Sequence, residues 1–176
     1  GVKIHYNTTI GKDITLEKLG EDFDAVFAGT GLHLGRSTRI EGTDHENVYQ
    51  SIELLRKITE GEEIHVPEKI VVIGGGNVAM DITRSLARLQ KIKYGKVQVI
   101  ATSLETEEKM PADREEVVEA REEMAVVNPG WSPQRIEIVD GKIKGLHVVQ
   151  CLSLFDETGN FNPQCNMDNA NFFEAA

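Results

Sequence analysis

Lys69-Ile-Val-Val-Ile-Gly-Gly-Gly-Asn-Val-Ala-Met-Asp81 decides the fold. A short apolar run, Ile70 to Ile73, breaks into three glycines, and a helical pattern follows at once, with Ala79, Ile82, Leu86 and Leu89 on one face. Strand, tight turn and helix in that order form the fingerprint Gly74-x-Gly76-x-x-Ala79, the G-x-G-x-x-G/A form of a dinucleotide-binding loop. Gly74 lets the chain turn sharply, Gly76 lets backbone approach a pyrophosphate, and Ala79 lets the helix pack close to the strand. The first N–H groups of the helix, from Asn77 and Val78 onward, lack intrahelical partners, and with the helix dipole they suit a diphosphate. Gly74, Gly75, Gly76, Asn77, Val78 and Ala79 are therefore the primary candidate cofactor contacts. Asp81, in the same helix, either touches the cofactor or simply stabilises the helix start as an early acid.

Outward from this turn, Lys91 to Gly95 reads as a basic turn and Lys96 to Ala101 as a second strand, giving β–α–β with an expected right-handed crossover. Thr102 to Lys109 is a polar, acidic loop. Met110-Pro-Ala-Asp113 opens another helix, where Asp113 and Glu116 have capping-box spacing. Val117, Ala120 and Met124 form its buried stripe. Glu115, Glu119, Glu122 and Glu123 lie on its outer face, which reads as solvated. Ala125-Val-Val127 is a third parallel strand. Beyond Asn128-Pro-Gly-Trp131, Asp140-Gly141 between Ile136–Val139 and Lys142–Gly145 is a type I′ hairpin signal. Leu146 to Phe155 is a long strand closed by Glu157-Thr-Gly-Asn160. Trp131 suits packing under this antiparallel meander better than covering an adenine. The segment from Asn166 to Ala176 carries no periodicity that places it.

Before the fingerprint, Val2-Lys-Ile-His-Tyr6 alternates like a half-buried strand. Asp13 or Thr15 caps a helix with Leu16 and Leu19 inward. Asp24-Ala-Val-Phe-Ala28 reads as a buried strand entering Gly29-Thr30-Gly31, which is either a second close-approach turn for a cofactor or a plain strand end. Gly35 to Glu46 is an irregular surface loop, and Val48, Ile52, Leu55 and Ile58 mark an amphipathic helix. The fold class is α/β: a Rossmann-like parallel βαβ sheet with an antiparallel β-meander.

Composition narrows the function. The 176 residues are 40% hydrophobic with a net charge of -10, which disfavours nucleic acid or an anionic membrane as partner. No apolar run approaches the roughly 20 residues that span a bilayer. No signal peptide is present, and Cys151 and Cys165 lie far apart, so a reduced cytoplasmic protein is the simplest reading. Neither cysteine pattern nor His5, His33, His45, His65 and His147 has metal-ligand spacing, and Ser85 and Ser103 lack a nucleophile elbow. The chain starts at Gly1, not Met, and reads as a fragment or a processed segment.

Asp24-Ala-Val-Phe-Ala-Gly-Thr-Gly31, Val72-Ile-Gly-Gly-Gly-Asn-Val-Ala-Met-Asp81 and Met110-Pro-Ala112 with Glu115 and Glu116 together resemble the small (beta) subunit of glutamate synthase. Similar proteins include nicotinamide-dependent ferredoxin oxidoreductases and the N-terminal part of dihydropyrimidine dehydrogenase. The resemblance implies a nicotinamide-binding domain inserted in an FAD-binding domain that is incomplete here. Residues 1–47 would match a partial FAD-domain segment, 48–168 the NAD(P)H-binding domain, and 169–176 the start of the return to the FAD domain. It implies that NADH or NADPH passes a hydride to FAD in the full-length parent. Electrons would continue through the parent's iron–sulfur clusters, none of them in this chain, to a large catalytic or acceptor subunit. The segment itself would supply no catalytic residue and would be inactive alone. Family members often carry an Arg-Arg pair after the second strand, where this sequence has Leu104 and Glu105. Glu105 would repel a 2′-phosphate and accept from a free ribose 2′-OH, which favours NADH, although Lys109 or Arg114 could supply positive charge. The alternatives are a nucleotide-sensing module without redox chemistry and a subunit-contact scaffold; the intact glycine loop speaks against the scaffold.

Overall fold

The computed structural model describes residues 1–32, 34–35 and 38–176, which divide into two compact units, Gly1–Leu32 and His33–Ala176. The first contains helix α1 (Leu16–Asp22), and the Thr15 hydroxyl accepts from the Lys18 amide at 3.1 Å as its cap. Neither strand expected in this unit forms. Val2–Tyr6 and Asp24–Ala28 have no ladder among the described residues, and Val2 and Phe27 are 92% and 95% exposed. Apolar alternation expresses a preference for a sheet face, and no neighbouring strand in the unit supplies one. Leu16, expected to face inward, is also exposed, while Leu19 is half-buried.

The second unit runs α2 (Ser51–Glu60), β1 (Ile70–Ile73), α3 (Asn77–Tyr94), β2 (Val99–Ser103), a 3-10 turn (Glu107–Lys109), α4 (Arg114–Glu122) and β3 (Val126–Pro129). It ends in β4 (Trp131–Val139), β5 (Lys142–Phe155) and β6 (Phe161–Glu174). Lys91 to Tyr94 is the last turn of α3 and not a loop. Gly95, at φ 70, ends the helix by donating to the Lys91 carbonyl, so β2 starts at Val99. The helix persists because Lys93 Nζ and Tyr94 Oη both donate to the Val66 carbonyl, at 2.9 and 2.7 Å. Likewise Met124 is exposed and outside α4. Its φ of 71 turns the chain towards β3 instead of extending the buried stripe of Val117 and Ala120.

Strands β1, β2 and β3 form a parallel sheet in that order, with Ile70 opposite Val99 and Ile100 opposite Val126. Strands β4, β5 and β6 form an antiparallel meander. Its first turn has Asp140 at φ 52 and Gly141 at φ 69, the doubly left-handed backbone of a type I′ hairpin. The period-two alternation of β1 and β2 sorts the core into two layers. Val72, Val99 and Ala101 pack with Met80, Ile82 and Leu86 of α3 and Val117 and Ala120 of α4. Val71, Ile73 and Ile100 face the other way, onto Leu146, Val148 and Phe173 of the meander, with Trp131. The parallel sheet is thus covered on both faces, and its carboxyl edge carries the glycine turn.

One buried polar side chain fixes α3 against the sheet. Gln90, fully buried, donates to the Pro67 and Glu68 carbonyls at 2.8 and 3.0 Å and accepts from the Gln98 amide at 2.6 Å. Three satisfied bonds make the buried amide compatible with the core.

Candidate dinucleotide-binding site

Gly74 extends β1 by donating to the Thr102 carbonyl at 2.8 Å and then turns at φ 146. A Cβ there would stand 3.1 Å from the Ala79 Cβ, so the small residues at the two ends of the fingerprint fit one contact. Gly76 is the N-cap of α3, and its carbonyl accepts from Ala79 and Met80 at 2.9 and 3.2 Å. The Asn77 and Val78 amides have no acceptor among the described residues. A Cβ on Gly76 would meet nothing within 4 Å. The positive end of an 18-residue helix therefore opens onto free space.

The loop after β2 comes to the same place. A Cβ on Gly75 would lie 2.9 Å from Glu105 Oε2 and 2.9 Å from Ser103 Cβ, so the Glu105 carboxylate stands beside the glycine turn. The Gly130 amide holds Glu105 from behind by donating to its carbonyl at 2.7 Å. Leu104 is half-buried, while Lys109 and Arg114 are exposed on the following segment.

Sequence reasoning missed a bracket across the site. The Ala112 amide donates to the Gly75 carbonyl at 2.9 Å. Asn77 Nδ2 donates to Asp113 Oδ2 at 3.0 Å, and the Asp113 amide donates back to Asn77 Oδ1 at 2.7 Å. The Met110–Asp113 segment is thereby docked on the glycine turn. The expected capping box does not form. Asp113 occupies the N-cap of α4 but makes no side-chain cap bond, because its carboxylate is engaged by Asn77 and Glu116 pairs with Arg84 at 2.7 Å. The run Asn77-to-Asp113 has no local spacing signal; only the paired polar types hint at it.

The acidic face of α4 is not simply solvated. Arg84 of α3 reaches Glu116, Glu119 and Glu123 at 2.7, 2.5 and 3.2 Å, and Arg88 reaches Glu123 at 2.6 Å. Burial pushes the Glu123 carboxyl up, but the bonds from Arg88 and Arg84 outweigh it and hold the group below its ordinary value.

The other candidates are placed as follows. Asp81 is exposed and lines a surface hollow with Arg84, Ser85 and Arg88. Gly29, Thr30 and Gly31 are exposed residues of the first unit. Trp131 packs edge-on against Phe173, ring centres 6.1 Å apart, and donates to Asn128 Oδ1 at 3.2 Å. His147 pairs with Glu137 at 2.6 Å, His45 contacts the Gly141 carbonyl at 3.1 Å, and His33 lies outside the described residues. Among the described residues no group of three or more His, Cys, Asp or Glu could hold a metal ion, and no helix is long and apolar enough to cross a membrane. A cavity of about 440 Å³ forms an apolar cleft along the outer edge of β1, walled by Leu54, Val71, Ile73 and Leu146. Neither the glycine turn nor Glu105 lines it, so volume alone does not locate the nucleotide site.

Strand order, glycine turn and covered sheet define a Rossmann-like domain. A family model described as pyridine nucleotide-disulphide oxidoreductase matches residues 2–147, and the chain belongs to that family. The chain is 32% identical over 162 residues to the glutamate synthase [NADPH] small chain of Escherichia coli (strain K12), covering 85% of this chain and 33% of that relative. It is 38% identical over 169 residues to the NADPH-Fe(3+) oxidoreductase subunit beta of Geobacter sulfurreducens, covering 93% of this chain and 24% of that one. The resemblance to the glutamate synthase small subunit is thus borne out, and the chain spans a quarter to a third of these relatives. Among solved structures, Mycobacterium tuberculosis FprA in complex with NADPH shares the fold, with a TM-score of 0.73 and 16% identity over 96% of this chain and 52% of that one.

Proposed function

We propose that this chain seats the nicotinamide dinucleotide of a flavin-dependent oxidoreductase. The diphosphate lies against Gly74–Gly76 and the Asn77 and Val78 amides, and the adenosine ribose lies beside Glu105. One observation carries this reading: an open helix N-terminus and a carboxylate from the loop after β2 flank the same glycine turn. The residues fit the group, because a Cβ at Gly75 would collide with the Glu105 side chain while the seat at Gly76 is empty of protein. Bound NADH or NADPH supplies a hydride for a flavin; the residues of this chain bind and orient. The bracket of Asn77, Ala112 and Asp113 holds the turn in shape. Gly29, Thr30 and Gly31 serve the FAD side of the parent. Beyond the flavin, iron–sulfur clusters of the parent pass electrons to a larger catalytic or acceptor subunit, a reading supported by relatives named as a small chain or a beta subunit.

Glu105 favours the free 2′-hydroxyl of NADH, since its carboxylate can accept from a hydroxyl and repels a phosphate. NADPH appears in the names of several relatives, so cofactor choice is the sharpest test. Calorimetric titration is expected to show tighter binding of NADH than of NADPH. Glu105→Arg should then shift the preference towards NADPH by about tenfold or more, the scale of one charged hydrogen bond. Equal or reversed preference in the unaltered chain would remove Glu105 from the site. Absence of binding by both would remove the dinucleotide reading.

A further inference from the structure

Cys151 and Cys165 lie far apart in sequence but are direct register partners on β5 and β6. The Cys151 amide donates to the Gly130 carbonyl at 2.8 Å, on the side away from β6. In an antiparallel ladder the N–H and C=O of one residue point the same way. The two cysteines therefore face each other at a non-hydrogen-bonded position, where Cα atoms approach to about 4.5 Å and side chains come closest. That separation falls within the range a disulfide tolerates, about 4.4–6.8 Å between Cα atoms. Both thiols are free, and the Cys151 thiol donates to the Ser153 carbonyl at 3.5 Å. Cys151 is buried and Cys165 is partly open to solvent.

We propose that Cys151 and Cys165 form a reversible dithiol–disulfide couple, a covalent modification site that staples β5 to β6. The oxidant is a low-molecular-weight organic disulfide. The accessible Cys165 thiolate attacks one sulfur of the organic disulfide. A Cys165–S–S–R mixed disulfide forms, and the expelled thiolate takes up the proton that Cys165 lost. The Cys151 thiolate then attacks Cys165 Sγ, forming the intramolecular bond and releasing the second organic thiol, which carries the proton from Cys151. One organic disulfide is reduced to two thiols while two protein thiols are oxidised, so atoms and electrons balance. Burial, the neighbouring Cys165 and the Glu105 charge all push the Cys151 thiol up. This ranks Cys165 as the attacking group and Cys151 as the resolving one.

The test is to equilibrate the full chain with glutathione disulfide and count thiols after denaturation. The expected product is a monomer with no titratable thiol, lighter by two hydrogen atoms, whose proteolytic map joins the Cys151 and Cys165 peptides. Dithiothreitol should restore both thiols. Cys151→Ser should accumulate a stable glutathione adduct on Cys165, whereas Cys165→Ser should leave Cys151 unmodified. Two thiols persisting in the oxidised wild-type chain, or a disulfide-linked dimer, would overturn the proposal without any variant. Neither result bears on nucleotide binding, which the titration above measures separately.

Discussion

At Gly76, folding and the proposed binding can be tested apart. Its φ of −97 is open to any side chain, and a Cβ there meets nothing within 4 Å. Gly76→Val is therefore expected to fold with a melting temperature close to the parent's, losing at most about 1 kcal/mol at the helix cap. Its branched side chain would occupy the space assigned to the diphosphate, so calorimetry should show nicotinamide dinucleotide binding weakened by at least a hundredfold, about 2.7 kcal/mol. Unchanged affinity would move the diphosphate elsewhere. Gly74 is the opposite case. A side chain at φ 146 beside Ala79 strains the fold itself, so a loss of binding there would say little. The spacing of Gly74, Gly76 and Ala79 made this turn legible in the sequence, because Gly74 and Ala79 answer to one local contact and Gly76 leaves the helix start open. The Asn77–Asp113 pair was not legible: the two residues meet only after β2 and the loop behind it have folded back.

At the scale of elements, α3 and α4 are joined by charge as well as by the packing of Val117 and Ala120. Arg84 and Arg88 of one helix converge on Glu116, Glu119 and Glu123 of the other. Because the arginines hold Glu123 below the ordinary 4.5, the native state binds its proton less readily than the unfolded chain does. The stabilisation is fully present above that ordinary value and is lost as the pH falls from it through the lowered native one. Glu123→Gln should cost about 1–3 kcal/mol at neutral pH. It should also flatten the acid side of a stability–pH curve from urea unfolding. An acid limb as steep as the parent's would assign the acid sensitivity to other carboxylates. The glutamates on α4 looked like a solvated face because helical spacing records which residues share a side, not which neighbour that side meets. β6 escaped prediction for a related reason. Of its residues only Phe173 is buried, so no alternating pattern advertises the strand, and β5 alone supplies the ladder that defines it.

Across the whole second unit, stability depends on two sheets sharing one apolar layer. Phe173 sits in it with Leu146 and Val148, against Val71, Ile73 and Ile100 of the parallel sheet, and meets Trp131 edge-on. Phe173→Ala should destabilise by about 3–5 kcal/mol. Trp131 is the only tryptophan, so its fluorescence reports this layer directly. The fluorescence and far-ultraviolet dichroism curves are expected to coincide in both the parent and the variant. Separated curves would show that the meander unfolds independently of the parallel sheet. The unit's βαβαβ order and its Asp140-Gly141 hairpin follow from local rules, whereas Val2–Tyr6 and Asp24–Ala28 show what such rules omit. A strand-like sequence becomes a strand only beside another one.

The frame around the glycine turn is tied largely by main chain: Ala112 to Gly75, Gly130 to Glu105, Gly74 to Thr102. Bonds of this kind do not depend on which side chains the linked residues carry. Apart from Glu107, which pairs with Arg121 at 2.7 Å, and Met110, which packs against the core, the stretch between Glu105 and Ala112 can therefore be rewritten while its path is kept. For an engineer, that makes it a cassette, in which a library of side chains can be screened for new nucleotides on an unchanged scaffold.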